Sequence, residues 1–378
     1  MRKIYFLLLL LFIPTIVYAE DYLPNGDSGI LIEANSGKIL YEKDKDKRVS
    51  VASLTKMVAQ IIILEEIEAN KIHWDDIVVV SKNASDMGGS QIYLSEGEKI
   101  SVSDLMKGIS VASGNDAVVA MAEYISGSEV EFVKRMNEVV ARLELKNTHF
   151  VNCTGLDEKD HYSSSYDMAM IARELVLNHP DILKFSSIYE DYLREDTEQK
   201  FWLVNTNKLI HFYEGADGLK TGHTDDAGYC LAATAKRKSL RLIAIVLGEK
   251  DNKVRNQEVM NLLDYGFQSV QMNCIMKKGD LIEKRKILKG NRSTLEIVLQ
   301  EDLCVLEKKN DRNVYDYDVK ISQYDFPVVA GKSIGYIDVL SDKKLISRSP
   351  LTSKYTILKE KYPHFIISNL MSLFSGNL

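Results

Sequence analysis

The chain has 378 residues, 45% of them hydrophobic, and a formal net charge of -6. That is enough apolar material for a large core divided between two domains, and it excludes a disordered or fibrous chain. An acidic balance without a basic tract also removes nucleic acid from the partners to consider.

Arg2 and Lys3 precede the apolar run 4–17, and Val17-Tyr18-Ala19 offers small residues at the two positions a signal peptidase reads. Residues 1–19 are therefore expected to be a secretory signal removed after Ala19. The run is short and holds Pro14, which argues against a retained anchor helix. Next, Gly29 to Ala34 and Lys38 to Tyr41 read as two strands around the turn Asn35-Ser36-Gly37. The charged run Glu42 to Arg48 then leads to Ser53-Leu54-Thr55-Lys56, at the head of the apolar run Met57 to Leu64. In a helix, residues three apart share a face, so this tetrad sets a hydroxyl beside an amine. The free N–H groups and dipole of a first turn would favour an oxyanion at the same place. Taken alone, the tetrad reads equally as a helix cap beside a solvated lysine, and S-x-x-K recurs at Ser341 to Lys344. The helix is apolar on several faces, which predicts burial inside the domain.

A short apolar run, His73 to Ser81, is followed by a loop through Gly88, Gly89 and Gly97. Helical periodicity returns at Leu105, Met106 and Ile109, then over Ala117 to Tyr124 and Phe132 to Leu143. Between the first two of these helices lies Ser113-Gly114-Asn115-Asp116, by itself an ordinary turn; S-x-N also occurs at Ser81 and Ser375. The polar stretch His149 to Tyr162 has the length of loops that close over sites, and Ser164 to Leu177 resumes a helix. Leu219 to Thr224 then enters a hairpin, Gly228 to Ala235 and Leu240 to Gly248, followed by a helix over Val254 to Phe267. Strands at both ends of 20–267 with helices between them predict an α+β domain whose antiparallel sheet is closed by its chain ends.

Residues 268–350 change to short alternating segments, Thr294 to Leu299, Val314 to Ile321 and Ser333 to Leu340, which predict a small all-β domain. The final segment, 351–378, carries an amphipathic pattern in which Ile366, Ile367, Leu370, Met371, Leu373 and Phe374 share one side of a helix. It is too short to span a membrane but suited to lie in its interface, with Lys354, Lys359 and Lys361 just before it. Cys153, Cys230, Cys274 and Cys304 form no C-x-x-C pair and read neither as a disulfide scaffold nor as a zinc site. Cys230 suits a buried thiol, and a Cys274 to Cys304 bridge stays open. The histidines form no H-E-x-x-H pair, and no G-x-S-x-G elbow is present.

Together, S-x-x-K, S-x-N and K-T-G in this order form the signature of penicillin-binding proteins and class A β-lactamases. The stretches Val51 to Lys56, Ser113 to Asp116, Gly155-Leu156-Asp157 with Tyr162-Ser163-Ser164, and Asp217 to Thr224 make the chain resemble the serine-type D-alanyl-D-alanine carboxypeptidases, the low-molecular-mass penicillin-binding proteins. The resemblance covers nearly all the mature chain. It implies a β-lactamase/transpeptidase-like domain, with an antiparallel sheet flanked by helices, then a small all-β domain and a C-terminal amphipathic helix. It implies an exported enzyme at the outer face of the cytoplasmic membrane or in the periplasm or cell-wall space, with no cofactor or metal. The enzyme would trim peptidoglycan stem peptides ending in D-alanyl-D-alanine during cell-wall maturation, with β-lactam antibiotics as covalent inhibitors.

By the same resemblance, Ser53 attacks the penultimate carbonyl, Lys56 takes its proton and Ser113 relays a proton to the leaving amine. Asn115 positions the substrate amide, Lys220 and Thr221 bind the terminal carboxylate, and Gly222 lets the substrate backbone approach the strand. The oxyanion rests on the N–H groups of Ser53 and His223. A β-lactamase or D,D-endopeptidase on the same scaffold, or a penicillin-binding sensor with little turnover, are the alternatives. The glutamate that class A β-lactamases use for deacylation has no counterpart in the Gly155-Leu156-Asp157 context. A free lysine, with a pKa of about 10.4, is neutral less than about once in a thousand at pH 7. Poising Lys56 near pH 8 takes roughly 3 to 4 kcal/mol of burial and positive charge, and Lys220 is the expected source of that charge.

Overall fold

The computed structural model describes residues 21–309 and 313–360. The signal segment and the amphipathic face at 366–374 lie outside the described residues. Strands β1 (Ser28–Glu33) and β2 (Ile39–Lys43) form the N-terminal hairpin. A 3-10 turn, Ala52–Thr55, runs straight into α1 (Lys56–Glu68). The pair β3 (Ile77–Val79) and β4 (Lys99–Ser101) brackets the short α2 (Lys82–Ser85). The helical block comprises α3 (Val102–Lys107), a π-helical turn Gly108–Ala112, α4 (Asn115–Ser126), α5 (Glu129–Arg142) and α6 (Ser165–Asn178).

After α7 (Ile182–Ser186) come a small hairpin, β5 (Glu190–Leu193) with β6 (Phe201–Val204), and α8 (Leu209–Phe212). Sequence periodicity did not disclose these short pieces. Then β7 (Ala216–Thr224), β8 (Gly228–Arg237) and β9 (Leu240–Glu249) run antiparallel into α9 (Asn252–Ser269).

The five strands lie in the order β2-β1-β9-β8-β7, so the first strand closes against the last and β7 is an edge. Strand β9 shows how the sheet is covered. Ile243, Ile245 and Leu247 join the core formed with the helical block, while Leu242, Ala244 and Val246 face Val259, Leu262 and Leu263 of α9. Side chains alternate across a strand, so a strand buried on both faces must be apolar throughout. In α1, every residue from Lys56 to Leu64 is buried, which matches its all-round apolar sequence and fixes the turn before it.

The second unit comprises β10 (Val270–Met276), β11 (Leu281–Lys286), β12 (Thr294–Leu299), β13 (Leu303–Lys308), β14 (Asp316–Ile321), β15 (Ser333–Ser341) and β16 (Lys344–Ser353). Its sheet has the order β11-β12-β16-β15-β14, and β10 pairs with β13. Cys274 and Cys304 stand opposite each other on that pair and are bridged. The unit runs past the expected limit at 350: β16 continues to Ser353, and buried Ile357 bridges to Val328 in the same core. Residues 351–360 therefore belong with the β unit, because the sparse apolar residues Leu351 and Ile357 both point into its core. The second S-x-x-K is the turn of the β15–β16 hairpin, with Ser341 paired to Lys344.

Candidate active site

Three segments meet at the head of α1. The 3-10 turn presents Ser53, and Lys56 follows as the first residue of the helix, completely buried. Lys56 Nζ lies 2.8 Å from Ser53 Oγ, 2.6 Å from Asn115 Oδ1 and 2.6 Å from the carbonyl oxygen of Thr154. The Asn115 amide cannot be flipped, because its Nδ2 donates to Gly88 O at 2.7 Å. A neutral amine has two N–H donors and one lone pair. The two donors meet Asn115 Oδ1 and Thr154 O, so the lone pair remains for the Ser53 hydroxyl proton.

Burial pulls the Lys56 pKa down to about 7, against weaker opposing effects of Cys153 and Asp116. Lys220 is also buried, and its Nζ donates to Thr221 O at 2.9 Å. Its pKa falls well below the ordinary lysine value through burial first, then through Lys56 and Arg255. Burial is the first cause of both shifts, and the repulsion between the two buried lysines belongs to the pair.

The S-x-N turn is built by the π-helical turn and α4. Ser113 is buried in the left-handed conformation, φ 65°, where the chain leaves that turn. Asp116 does not cap α4; its carboxylate accepts from the N–H groups of Ile92, Leu94 and Ala117. The turn therefore fastens segment 88–94 above Asn115. Asn115, expected to meet substrate, holds Lys56 and Gly88 with the two ends of its amide.

K-T-G lies on the edge strand β7. Gly222 packs on the nucleophile's own turn: a Cβ there would come within 2.9 Å of Val51 O and 3.0 Å of Ala52 Cβ. The Thr221 hydroxyl donates to Thr206 Oγ1 at 2.7 Å, and Thr206 N donates to Val111 O, which links β7 to the Ser113 turn. The His223 ring is exposed and lies against Tyr229, with centroids 4.0 Å apart.

Several contributors carry no signature in the sequence. Thr154 acts through its backbone, and Thr206 and Arg255 arrive only by folding. Arg255 is buried behind β8, donating to Cys230 O and to Asn256 Oδ1, its pKa lowered to about 10 by burial. His161 accepts the Val151 N–H on Nδ1, so Nε2 carries the hydrogen and donates to Thr55 Oγ1 at 2.8 Å. Burial holds its pKa near 4. Gly155, with φ +83°, crosses the turn so closely that a Cβ would stand 2.0 Å from Ala52 O. Asp157 pins the same loop to Ser50 and Thr224.

Residues 20–251 match the family model described as D-alanyl-D-alanine carboxypeptidase, and residues 271–359 match the C-terminal domain of penicillin-binding protein 5. The chain is 44% identical over 341 residues to the D-alanyl-D-alanine carboxypeptidase DacF of Bacillus subtilis, covering 90% of this chain and 87% of that protein. Among solved structures, penicillin-binding protein 5 of Haemophilus influenzae is similar, with TM-score 0.71, 30% identity and coverage of 90% of this chain and 100% of that one. The ampicillin-bound form of penicillin-binding protein D2 from Listeria monocytogenes is similar over 64% of this chain and 97% of that one, with TM-score 0.58 and 30% identity. With matches of this extent in sequence and fold, the chain belongs to the D-alanyl-D-alanine carboxypeptidase family.

Proposed function

We propose that the protein is a serine D,D-carboxypeptidase that removes the terminal D-alanine of peptidoglycan stem peptides through an acyl-enzyme on Ser53. One observation carries the reading: a fully buried amine with a pKa brought to about 7 touches the Ser53 hydroxyl at 2.8 Å. Lys56 takes the proton as Ser53 Oγ bonds to the penultimate carbonyl carbon, whose oxygen becomes the oxyanion held by the N–H groups of Ser53 and His223. Collapse of the tetrahedral intermediate breaks the peptide bond. Lys56 returns the Ser53 proton through Ser113 to the departing amine of D-alanine; neutral again, it takes a proton from the water that attacks the ester and gives it to Ser53 Oγ as the acyl bond breaks.

The terminal carboxylate has a physical reason to settle at β7. Lys220 and Arg255 hydrogen-bond only to neutral acceptors, so among the described residues their field has no ion-pair partner. An anion placed there favours the charged form of Lys220, so substrate binding and protonation of this lysine support each other. Thr221 adds its hydroxyl by turning its proton to the carboxylate, with the Thr206 hydroxyl donating to Thr221 Oγ1 in exchange. β-Lactams, which carry a carboxylate beside a strained amide, fit the same groups and would acylate Ser53.

Mass spectrometry with benzylpenicillin tests the reading. The expected result is one adduct on Ser53, absent in S53A, together with D-alanine release from a D-alanyl-D-alanine peptide. No adduct and no release would overturn it, whereas rapid penicillin turnover without D-alanine release would identify a β-lactamase. Export follows from the signal at 1–19, and attachment to the outer membrane face from the amphipathic segment after Lys361. Removing residues 362–378 should free the mature protein from membranes and leave penicillin acylation intact; unchanged partitioning would reject the anchor.

A further inference from the structure

The β unit ends, on the side away from the catalytic domain, in a surface the reaction does not use. Glu301 and Asp302, between β12 and β13, line a cleft with Glu33, Asn35 and Ser239 of the first domain. The six residues of β12 place the far end of its hairpin with β11 roughly 20 Å further out. Strand β16 runs the same way, from Arg348 in the cleft to Ser353. Three loops, 287–293, 325–330 and 354–360, converge at that outer end. Val328 bridges Ile357, Asn291 N donates to Leu358 O at 3.0 Å, and Glu360 N donates to Lys289 O at 2.8 Å. Each loop puts one apolar residue into the core and exposes the next: Ile287 then Leu288, Val328 then Val329, Ile357 then Leu358. With Tyr355, the outward residues are 41% to 65% exposed. Exposed apolar residues scattered singly are ordinary, whereas four gathered at one end mark a contact surface.

The charge around them is positive. Lys286, Lys289, Arg292, Lys354 and Lys359 are exposed here, on a chain whose net charge is -6. The three loops carry only Asp325 and Glu360 as acids, and Glu296 behind them is already paired with Lys284 and Lys354. Arg292 Cζ stands 4.2 Å and Lys354 Nζ 5.4 Å from the centre of the Tyr355 ring. Apolar tips and a tyrosine surrounded by lysine and arginine suit the boundary between headgroups and acyl chains, where the stems are buried and the charges meet lipid phosphate. The direction of the chain agrees: it passes from Glu360 into 361–378, where Lys361 and the apolar residues between Ile366 and Phe374 repeat the pattern.

We propose that this end of the β unit is itself a membrane contact, with Leu288, Val329, Tyr355 and Leu358 seated in the interface of an anionic bilayer and the surrounding cations on its headgroups. The proposal rests on the exported location given above but not on the amphipathic segment. One terminal segment alone leaves the protein's direction on a bilayer open. A second contact on the β unit sets it, and holds the catalytic domain off the lipid on the side of the wall.

The test uses the mature protein, whose four cysteines are buried or bridged, so that an introduced cysteine is the accessible thiol. A polarity-sensitive fluorophore is attached at L288C, at L358C, or at V314C, which precedes β14 at the opposite end of the unit. With vesicles of equal phosphatidylglycerol and phosphatidylcholine, emission at 288 and 358 should shift to the blue while that at 314 stays put. A chain ending at Lys361, which keeps all three cores, should still sediment with these vesicles, though more weakly. In that chain K289E/R292E should lower partitioning about 25-fold or more, at roughly fivefold for each cation lost. Penicillin acylation should be unchanged in every variant. A full-length protein that sediments with vesicles while the 288 and 358 labels do not move would overturn the contact and leave the terminal anchor standing. A shortened chain that partitions like the full one would reject the anchor and leave the contact. Competition by a soluble polyglycerol phosphate, with no blue shift on vesicles, would identify a wall polymer as the ligand and also overturn the proposal.

Discussion

The pKa of Lys56 decides whether the site can work at neutral pH, and the Asn115→Asp variant tests it directly. At a pKa of about 7 half of the amine is free base at pH 7. At the ordinary value the fraction would be about 3 in 10,000, so burial is worth roughly a thousandfold in active base. Asn115 Oδ1 sits 2.6 Å from Nζ, and an aspartate there is isosteric but negative. At an effective dielectric of about 20, two unit charges about 3 Å apart attract by roughly 5 kcal/mol. If desolvation of the carboxylate removes half of that, the Lys56 pKa still rises by about two units. Second-order acylation by a fluorescent penicillin, followed from pH 5.5 to 10, should inflect near 7 in the wild type and near 9 in N115D. At pH 7 the variant should be on the order of 50-fold slower from the lost free base. Its plateau will fall too, because Oδ2 replaces the Nδ2 donor facing Gly88 O; the inflection, not the plateau, reports on Lys56. A variant profile that still inflects near 7, or a wild-type profile that inflects near 10, would refute Lys56 as the base.

Gly155→Ala should lower both stability and acylation, since its Cβ would stand 2.0 Å from Ala52 O and 2.9 Å from Ser53 N. Strain of this kind is worth about 1 to 3 kcal/mol, and an unchanged thermal midpoint with an unchanged acylation rate would contradict the contact. Thr206→Val removes the hydroxyl partner that positions Thr221 and would donate to it in the substrate complex; losing about 1 kcal/mol should raise KM for a D-alanyl-D-alanine peptide roughly fivefold, and steady-state kinetics with an unaltered KM would count against it. Stability itself should depend on Lys56. Its folded pKa lies below the unfolded value, so the unfolded chain holds more protons between pH 7 and 10.5, and stability rises with pH across that window. The rise from pH 7 to 9 is about 2 kcal/mol. Urea unfolding of wild type and K56M at both values should reveal it as a difference in slope, which also cancels groups such as Glu249, whose pKa is raised to about 8 mainly by burial. Parallel slopes would show that Lys56 does not titrate in this range.

The parts of the site that were legible in the sequence are those whose chemistry sits on adjacent residues. S-x-x-K, S-x-N and K-T-G each bring polar side chains within a turn or a pleat, and although each alone reads as an ordinary cap or turn, their joint occurrence in this order marks the site. Thr154 was not legible, because a backbone carbonyl has no residue type to notice. Arg255 comes from the last helix of the domain and Thr206 from a loop, and only the closing of the sheet brings either to β7. The fold shows the same division. The apolar strands β8 and β9 and the buried helix α1 announced themselves, whereas β11, with the sequence LIEKRK, is half solvated and carries too many charges to alternate cleanly. The β unit reached past residue 350 for a related reason: Thr352, Ser353 and Lys354 are polar, and only the core contacts of Leu351 and Ile357 hold that segment in place.

These two sets of residues share a physical logic. Lys56, Lys220 and Arg255 are all buried without ion-pair partners among the described residues, and each has its pKa lowered chiefly by burial. In a structural role that arrangement would be a liability, since a carboxylate beside each would relieve it. An internal carboxylate would also defeat the site: next to Lys56 it would restore the proton that must be absent, and next to Lys220 it would occupy the place of the substrate's own terminus. The acids that lie nearby are accordingly turned to other tasks. Asp116 is held by backbone N–H groups, Asp217 by the two guanidinium nitrogens of Arg241 at 2.8 and 2.7 Å, and Asp157 by Ser50 and Thr224. On the proposed role of Lys220, the missing countercharge is what the substrate's terminal carboxylate would bring, so the deficit that weakens the free enzyme would be the source of its affinity for such a peptide.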